Sequence, residues 1–370
     1  MDDSTFMARA ICLAKKGRYT THPNPRVGCV IVKNRQIIGE GFHQKAGQAH
    51  AEINALRAVT NGDAKDATAY VTLEPCSHTG KTPPCANALI DAEISRVVIA
   101  MQDPNPQVAG QGIQRLRDAG ITVEVGVLEE QARALNVGFI KRMETGLPWV
   151  RIKLAMSIDG RTAMASGESQ WITGSAARED VQRLRARADA ILTGSGTVLE
   201  DDPSLNVRIS NEDLSLDDGL EYQQPLRVIL DSSLKISAQA KLFGLEGSVQ
   251  IYTCSDDNTK ITSLGNQEVS INVLKASKGK LPLKVILQDL ATQQINEIHV
   301  EAGATLCGAL LQEQLVDEII LYMAPTIMGS NARGLFNMPE LDQMKDKVDL
   351  KIQDIRALGD DWRLQVFPKY

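Results

Sequence analysis

Three side chains that can bind a transition metal, His50, Cys76 and Cys85, constrain this chain more than any other feature. One imidazole and two thiolates are strong ligands for tetrahedral Zn²⁺, and three protein ligands leave the fourth position open for water. A metal with an open position lowers the pKa of that water towards neutrality. Glu52 is not needed as a ligand, and it lies close enough to exchange protons with the water. We predict a catalytic zinc site with Glu52 as its acid–base residue.

The order of these residues is typical of zinc deaminases, whose signature is H-x-E followed by P-C-x-x-C. Here eight residues separate Cys76 from Cys85, where the signature has two. The alternatives are three ordinary core side chains or a closed structural zinc site with His78 as the fourth ligand. Structural sites usually space their cysteines more closely, and neither alternative uses Glu52. Thr-Pro-Pro before Cys85 predicts a helix start, which stabilises a thiolate. All three observations favour catalysis.

Length and composition indicate a two-domain globular enzyme of the cytoplasm. The chain has 370 residues, more than one hydrophobic core normally organises. A net charge of −6 and the lack of a basic, aromatic-rich tract argue against nucleic-acid binding. No apolar run is long enough to span a bilayer, so we expect no membrane association. Six scattered cysteines fit a reducing compartment, and the acidic start does not resemble a signal peptide.

Hydrophobic periodicity predicts alternating strands and helices in the first part, which indicates a three-layer α/β domain. The predicted strands are 27–33, 36–42, 69–73, 97–100 and 121–127. The predicted helices are 5–18, one from about 50, 85–92, 110–119 and 129–142. Glu-Thr-Gly-Leu-Pro at 144–148 breaks the pattern. We therefore place a deaminase domain at 1–146 and a second domain at 147–370.

The second part begins a new series of strands. The predicted strands are 150–156, 190–193, 226–230, 249–253, 297–300, 318–324 and 362–367. The predicted helices are 175–187, 282–293 and 305–314. Residues 211–224 are acidic and polar, which indicates a surface loop or a mobile insertion.

Chemical signals in the second part are weaker. The turn at Gly303 opens a helix, and backbone N–H groups there suit an anion such as phosphate. Its glycine could equally serve the turn conformation alone, and the same holds for 194–197. Arg185 and Arg208 could bind a phosphate through paired hydrogen bonds, or could be solvated surface charges. No G-x-G-x-x-G fingerprint follows a strand, so a Rossmann site is not supported.

Longer motifs in both halves resemble one family. THPNPRVG at 21–28, HAE at 50–52 and PCSHTGKTPPC at 75–85 resemble the deaminase half of the RibD family of bifunctional riboflavin-biosynthesis enzymes. The second half of the chain resembles the reductase half of this family in four motifs: KLAMSIDG at 153–160, GESQWIT at 167–173, TVLEDDP at 197–203 and VEAG at 300–303. The likeness covers essentially the whole chain in the family's order. The eight-residue interval between the cysteines is what this family shows.

The resemblance implies a cytidine-deaminase-like domain followed by a dihydrofolate-reductase-like domain, with Zn²⁺ and NADPH as cofactors. The first half would deaminate 2,5-diamino-6-(5-phosphoribosylamino)pyrimidin-4(3H)-one to 5-amino-6-(5-phosphoribosylamino)uracil. The second would use NADPH to reduce the ribosyl group to ribityl phosphate. The substrates are therefore expected to be small phosphorylated pyrimidines, and we expect a homo-oligomer.

The same motif match assigns further site residues. Asn24, His43 and Lys81 are implied as contacts of the deaminase substrate. Lys153 and Asp201 are candidates for the polar group that faces the reducible carbon. The implied cofactor contacts are Ala155, Trp171, Thr197, Asp201, Ser232, Gly303, Ala304, Thr305, Leu306, Cys307, Gly308 and Ala309. The implied contacts of the reductase substrate are Ser169, Arg185, Leu205, Arg208 and Glu301.

Two other functions are compatible with parts of the sequence. One is a deaminase whose second half no longer catalyses, although the intact reductase motifs argue against it. The other is a nucleic-acid deaminase, in which a flipped base would enter a similar zinc pocket. The acidic balance of the chain argues against the latter.

Overall fold

Two compact units make up the protein. The computed structural model describes residues 2–59, 64–77, 84–106, 108–265, 268–277 and 279–370. The first unit comprises residues 1–146 and 211–223, and the second comprises 147–210 and 224–370. The acidic segment 211–223 therefore packs with the first unit, where Asp217 accepts hydrogen bonds from Lys16 and Leu220 lies against the core. Of the helices in the described ranges, none has the length and apolarity needed to cross a bilayer.

The first unit is built on a five-stranded sheet with the order β2-β1-β3-β4-β5. Its strands are β1 (Gly28–Lys33), β2 (Gln36–Phe42), β3 (Thr68–Val71), β4 (Arg96–Ile99) and β5 (Thr122–Val125). Its helices are α1 (Asp3–Ala14), α2 (Ala51–Arg57), α3 (Cys85–Asp91), α4 (Gln111–Asp118), α5 (Glu129–Leu135) and α6 (Val137–Thr145). Strand β1 pairs antiparallel with β2 and β3, whereas β3, β4 and β5 are parallel.

Helices cover both faces of this sheet, so the predicted three-layer architecture is confirmed. Helices α1, α5 and α6 pack on one face around Phe6, Leu135 and Ile140. Helices α2, α3 and α4 pack on the other face around buried side chains that include Leu89 and Leu116. The zinc-ligand candidates belong to this second layer, because α2 and α3 begin at them.

The predicted single helix at 129–142 is wrong, because Asn136 separates α5 from α6. The Asn136 side chain accepts a hydrogen bond from the backbone N–H of Arg26 at 2.8 Å and donates one to its carbonyl at 2.9 Å. These two hydrogen bonds hold Asn136 out of the helical conformation, and its backbone φ is −126°. The helix therefore breaks at a tertiary contact.

The second unit contains a nine-stranded sheet with the order β11-β10-β9-β8-β12-β6-β13-β16-β15. Its strands are β6 (Trp149–Ser157), β8 (Ala190–Gly194), β9 (Leu226–Leu230), β10 (Val249–Thr253), β11 (Val269–Val273), β12 (Glu297–Val300), β13 (Glu318–Ala324), β15 (Asp349–Leu358) and β16 (Asp361–Lys369). Strands β7 (Arg161–Ala163) and β14 (Arg333–Gly334) form a separate pair. The large sheet is parallel except for β16, which runs antiparallel to both of its neighbours, β13 and β15.

Five helices of the second unit complete its fold. They are α7 (Ser175–Arg187), α8 (Ser195–Asp201), α9 (Asn258–Leu264), α10 (Leu283–Thr292) and α11 (Ala304–Gln312). Helices α10 and α11 pack on one face of the sheet around Leu290 and Leu310. Helix α7 covers the other face, where Leu184 lies against Ile320 and Tyr322. The parallel strands therefore point their carboxyl ends to one edge, at which ligand sites form in open α/β sheets.

Candidate active sites

The three potential metal ligands converge in the first unit. His50 caps α2, Cys85 is the first residue of α3, and Cys76 follows β3. Nδ1 of His50 lies 3.6 Å from Sγ of Cys76 and 3.3 Å from Sγ of Cys85. All three ligand atoms lie within 4.8 Å of one another. Tetrahedral Zn²⁺ with ordinary bond lengths separates its ligand atoms by about 3.6 Å, so this donor set fits the ion.

The two sulfur atoms are arranged for a cation. The pKa of Cys76 is lowered, because Cys85 and His50 donate hydrogen bonds to its sulfur. The backbone N–H of Cys85 also donates to this sulfur at 3.3 Å. The pKa of Cys85 is raised, because its thiol donates a hydrogen bond to Cys76 and is buried beside the negative sulfur of that residue. A divalent cation between them would stabilise both thiolates.

Glu52 lies in the first turn of α2 and is only 3 % exposed. Burial raises the pKa of its carboxyl to about 7, and the negative Cys76 sulfur acts in the same direction. Glu52 therefore stands beside the ligand set without belonging to it, as an acid–base residue must.

A neutral histidine, His43, packs against the candidate ligand His50. Nδ1 of His43 lies 3.2 Å from the carbonyl oxygen of Ala49, and Nε2 lies 3.0 Å from Nδ2 of Asn24. Because a carbonyl oxygen only accepts, Nδ1 carries the hydrogen and Nε2 accepts from Asn24. Burial lowers the pKa of His43, which favours the neutral ring. The His43 ring also meets the His50 ring edge-on at 5.2 Å. Lys81 and His78 lie outside the described residues.

In the second unit, four adjacent strands bring the implied cofactor residues to one edge. Strands β9, β8, β12 and β6 are neighbours and parallel. Ser232 follows β9, Thr197 lies in the helix after β8, and Gly303 follows β12. Ala155 lies near the carboxyl end of β6. The topology therefore places all four at the same end of the sheet.

The turn before α11 is open enough for a ligand to approach its backbone. Among the described residues, nothing lies within 4 Å of the position that a Cβ on Gly303 would take. The same holds for Gly196. A Cβ on Gly194 would lie 3.8 Å from the Leu306 side chain, so the turns after β8 and β12 are adjacent. Helix N-termini of this kind suit a pyrophosphate.

Two residues of the predicted run 303–309 face the interior instead. Cys307 is fully buried in the core, and its thiol donates to the carbonyl of Ala302 at 3.4 Å. A Cβ on Gly308 would lie 2.3 Å from the carbonyl oxygen of Asn337. The part of the run that is accessible to a ligand is therefore its beginning, where Thr305 is exposed.

Trp171 and Asp201 lie on connected segments of the second unit. Trp171 is 73 % exposed, and the guanidinium of Arg178 lies 4.9 Å from its ring centroid. Asp201 ends α8, and Nε2 of Gln170 lies 3.4 Å from its Oδ1. Ser169 is half-buried on the same segment, and Leu205 is buried beyond α8. A flat apolar ring this exposed is suited to stacking against a ligand.

Arg185 and Glu301 form a buried, two-pronged ion pair. Nε and Nη2 of Arg185 lie 2.5 and 2.8 Å from the two Glu301 oxygens, and Nη1 donates to the Asn206 carbonyl at 3.0 Å. Arg185 is 8 % exposed, so the alternative of a solvated surface charge is wrong for it. Arg208 is exposed, and its Nη1 donates to Oδ1 of Asn206. Of the two arginines, Arg208 is the one that solvent and ligands can reach.

Two further titratable side chains surround this pair. Burial lowers the pKa of Lys153, and the charge of Glu301 partly opposes that effect. Nε2 of His299 lies 3.5 Å from Oε1 of Glu301, and burial lowers the pKa of His299 to about 3. Although burial alone would favour the neutral carboxyl, Arg185 holds the pKa of Glu301 well below its usual range. The group thus combines a carboxylate, a guanidinium, a buried amine and a neutral imidazole.

Comparison with known proteins identifies the family of the chain. Residues 148–364 match the family model of the RibD C-terminal domain, and residues 1–101 match the cytidine and deoxycytidylate deaminase zinc-binding region. The RibD proteins of Escherichia coli K12 and Haemophilus influenzae are each 51 % identical to this chain; the matches cover 98 % and 99 % of it and 98 % of each relative. The chain belongs to the RibD family.

Solved RibD structures share the fold of the whole chain. A structure of Acinetobacter baumannii RibD is 48 % identical, with a TM-score of 0.90 over 100 % of this chain and 99 % of its own. A Thermotoga maritima protein is 34 % identical, with a TM-score of 0.87 over 99 % of both chains. The protein is therefore a bifunctional deaminase and reductase of riboflavin biosynthesis, with Zn²⁺ and NADPH as cofactors and small pyrimidines as substrates.

One buried carboxylate next to the candidate zinc ligands was not predicted from the sequence. Glu74 is 3 % exposed and precedes Pro75-Cys76. Its oxygens accept hydrogen bonds from four backbone N–H groups, those of Asp103, Gly110, Gly112 and Ile113. The only sequence signal for Glu74 is its position directly before Pro75-Cys76, and that position does not indicate its hydrogen-bond partners.

Proposed function

We propose that the protein deaminates 2,5-diamino-6-(5-phosphoribosylamino)pyrimidin-4(3H)-one and then reduces 5-amino-6-(5-phosphoribosylamino)uracil to the ribityl phosphate. The carrying observation is the convergence of His50, Cys76 and Cys85 within 4.8 Å beside the buried Glu52. The solved T. maritima relative is described as a diaminohydroxyphosphoribosylaminopyrimidine deaminase and 5-amino-6-(5-phosphoribosylamino)uracil reductase. We infer the substrates from that description and the reaction chemistry from the arrangement of these side chains.

In the deaminase site, each residue has one task. Zn²⁺ held by His50, Cys76 and Cys85 would lower the pKa of the attacking water. Glu52 would accept the proton of that water and deliver it to the departing amino nitrogen, so that ammonia leaves. Asn24, whose Nδ2 is committed to His43, would present its Oδ1 to an N–H group of the pyrimidine.

In the reductase site, bound NADPH would supply the hydride. The backbone N–H groups that follow Gly303 would hold its pyrophosphate, as the open turn there allows. Glu301, fixed by Arg185, would accept hydrogen bonds from substrate hydroxyls. Lys153 or Asp201 would face the reducible carbon, and the position of Lys153 beside Glu301 supports Lys153.

Arg208→Ala is expected to raise the KM of the reductase for its substrate about tenfold, because one charge-assisted hydrogen bond to the phosphate is lost. The kcat should change little, since the phosphate is remote from the reacting carbon. Steady-state NADPH oxidation measures both constants. Arg183→Ala removes another exposed arginine of the same unit, paired with Glu179, and serves as the control. A fall in kcat with unchanged KM would contradict the assignment.

One assay tests the proposed function. The full chain is given the phosphorylated diaminopyrimidine, and ammonia release and NADPH oxidation are followed together. Ammonia first and NADPH oxidation second is the expected order. Ammonia without NADPH oxidation would indicate the deaminase-only alternative. Deamination of an oligonucleotide would indicate a nucleic-acid deaminase, since neither nucleic acid nor membrane is part of our proposal.

We further propose a cytoplasmic homo-oligomer. The six cysteines are free thiols, as expected in a reducing compartment. Strand β15 forms an outer edge of the large sheet, and its Leu350, Ile352 and Ile355 side chains are 42, 56 and 50 % exposed. A long apolar edge strand is a typical pairing surface. Sedimentation at micromolar concentration should give a multiple of 40.3 kDa, and a monomer there would contradict this.

A further inference from the structure

The carboxylate of Glu74 joins two parts of the first unit. Oε1 accepts the backbone N–H groups of Gly112 at 2.9 Å and Ile113 at 3.2 Å, in the first turn of α4. Oε2 accepts those of Asp103 at 3.1 Å and Gly110 at 3.0 Å, in the loop that leads to α4. Hydrogen bonds to an ionised acceptor are stronger than neutral ones. A single buried side chain thus ties the loop and the start of α4 to the turn after β3.

That turn carries the zinc ligand Cys76, two residues beyond Glu74. A Cβ on Gly112 would lie 2.0 Å from the carbonyl oxygen of Pro75, so the start of α4 packs directly on the turn. The backbone N–H of Glu74 also donates to the carbonyl of Met101 at 3.0 Å. The turn is therefore fixed on its α4 side immediately before the ligand.

Helix α3 holds Cys76 from the other side. The backbone N–H of Ala86 donates to the Cys76 carbonyl at 3.2 Å, and that of Cys85 donates to its Sγ at 3.3 Å. These two contacts fix the distance between the cysteine ligands only while the turn 74–77 keeps its position. The α4 side of this arrangement depends on the Glu74 carboxylate.

We propose that Glu74 is a positioning residue of the zinc centre: by tying the turn 74–77 to α4, it holds Sγ of Cys76 where the metal requires it. A ligand that is already in place costs less free energy to order when the ion binds. Residues that orient metal ligands typically contribute 10–100-fold to affinity. The proposal rests on the proposed function only in that His50, Cys76 and Cys85 bind zinc.

Glu74→Gln tests the proposal with little change in volume. The new NH₂ group cannot accept a hydrogen bond, so two backbone N–H groups lose their acceptor. We expect the zinc affinity of the full chain to fall at least about tenfold, measured by competition with a chromogenic chelator. The visible absorption of the Co²⁺-substituted protein should change too, because it reports the geometry of the cysteine ligands.

A second variant disturbs the same contact from the opposite side. Gly112→Ala places a methyl group against the Pro75 carbonyl and should also weaken zinc binding. The double variant should lose less than the product of the two single effects, because both changes release the same turn. Ile140→Ala is the control, since it opens a cavity in the core on the other face of the sheet.

The outcomes separate positioning from general stability. Zinc affinity should follow Glu74→Gln and Gly112→Ala but not Ile140→Ala, even where the melting temperatures fall equally. Unchanged zinc affinity and an unchanged Co²⁺ spectrum in Glu74→Gln would overturn the proposal while leaving the proposed function in place. Failure of the unmodified chain to bind zinc would overturn both.

Discussion

Replacing Glu52 with glutamine is expected to lower ammonia release by about 10³-fold and to leave the reduction of deaminated substrate intact. Glutamine has nearly the same shape but cannot take a proton from water or return it to the leaving amine. Glu52 is buried next to the ligand set and is not itself among the three converging ligands, so zinc should still bind. Ammonia and NADPH are followed in separate assays, the second with pre-deaminated substrate.

The zinc content of the purified variant is the necessary control for this prediction. One zinc per chain with ammonia release lost would assign the effect to proton transfer. Glu93→Gln changes an exposed glutamate of the same unit, which pairs with Lys65, and should have no effect on either activity. Equal loss of both activities in Glu52→Gln would contradict a model with two separate sites.

The zinc site was predictable because its information is local. His50 and Glu52 occupy one helix start, and Cys85 another, so that short motifs specify ligand type and position together. The bounds of β2, β9, β10, β12, β13 and α7 were predicted to the residue because each carries either a short buried run or an amphipathic period. What the motif could not specify is Glu74, whose four partners lie 29 to 39 residues further along the chain.

Elements without a buried face were missed. Strand β15 is exposed along nearly its whole length, and a bulge between Ile352 and Asp354 shifts the phase of its apolar–polar alternation, so the period of a half-buried strand is interrupted. Helix α8 was not predicted, because its first turn contains Gly196 and its seven residues bury only Val198. In both cases pairing or packing within the unit, and not local propensity, determines the structure.

Long-range pairing also changed the interpretation of Arg185. The sequence allowed a phosphate ligand or a solvated charge, and the structure gives a buried partner 116 residues away. No local pattern reports such a partner. We therefore expect Arg185 to act by orienting the carboxylate of Glu301. Arg208 is the cation that a ligand can reach.

The largest loss of stability is expected from Glu301→Gln. This change leaves the Arg185 guanidinium charged, mostly buried and without its carboxylate, which typically costs about 3–5 kcal/mol. Reduction should be lost as well, because the oriented carboxylate is gone. All three tryptophans, Trp149, Trp171 and Trp362, lie in the second unit. Denaturant unfolding followed by tryptophan fluorescence therefore reports on that unit of the full chain.

A second substitution separates stability from function. Arg185→Met combined with Glu301→Gln removes the orphaned charge, so most of the lost stability should return while reduction stays absent. Glu179→Gln breaks an exposed pair with Arg183 on the same helix and should cost less than about 0.5 kcal/mol. If Glu301→Gln unfolded no more easily than Glu179→Gln, the buried pair would not be holding α7 against β12. If the double variant regained reduction, Glu301 would not be a substrate contact.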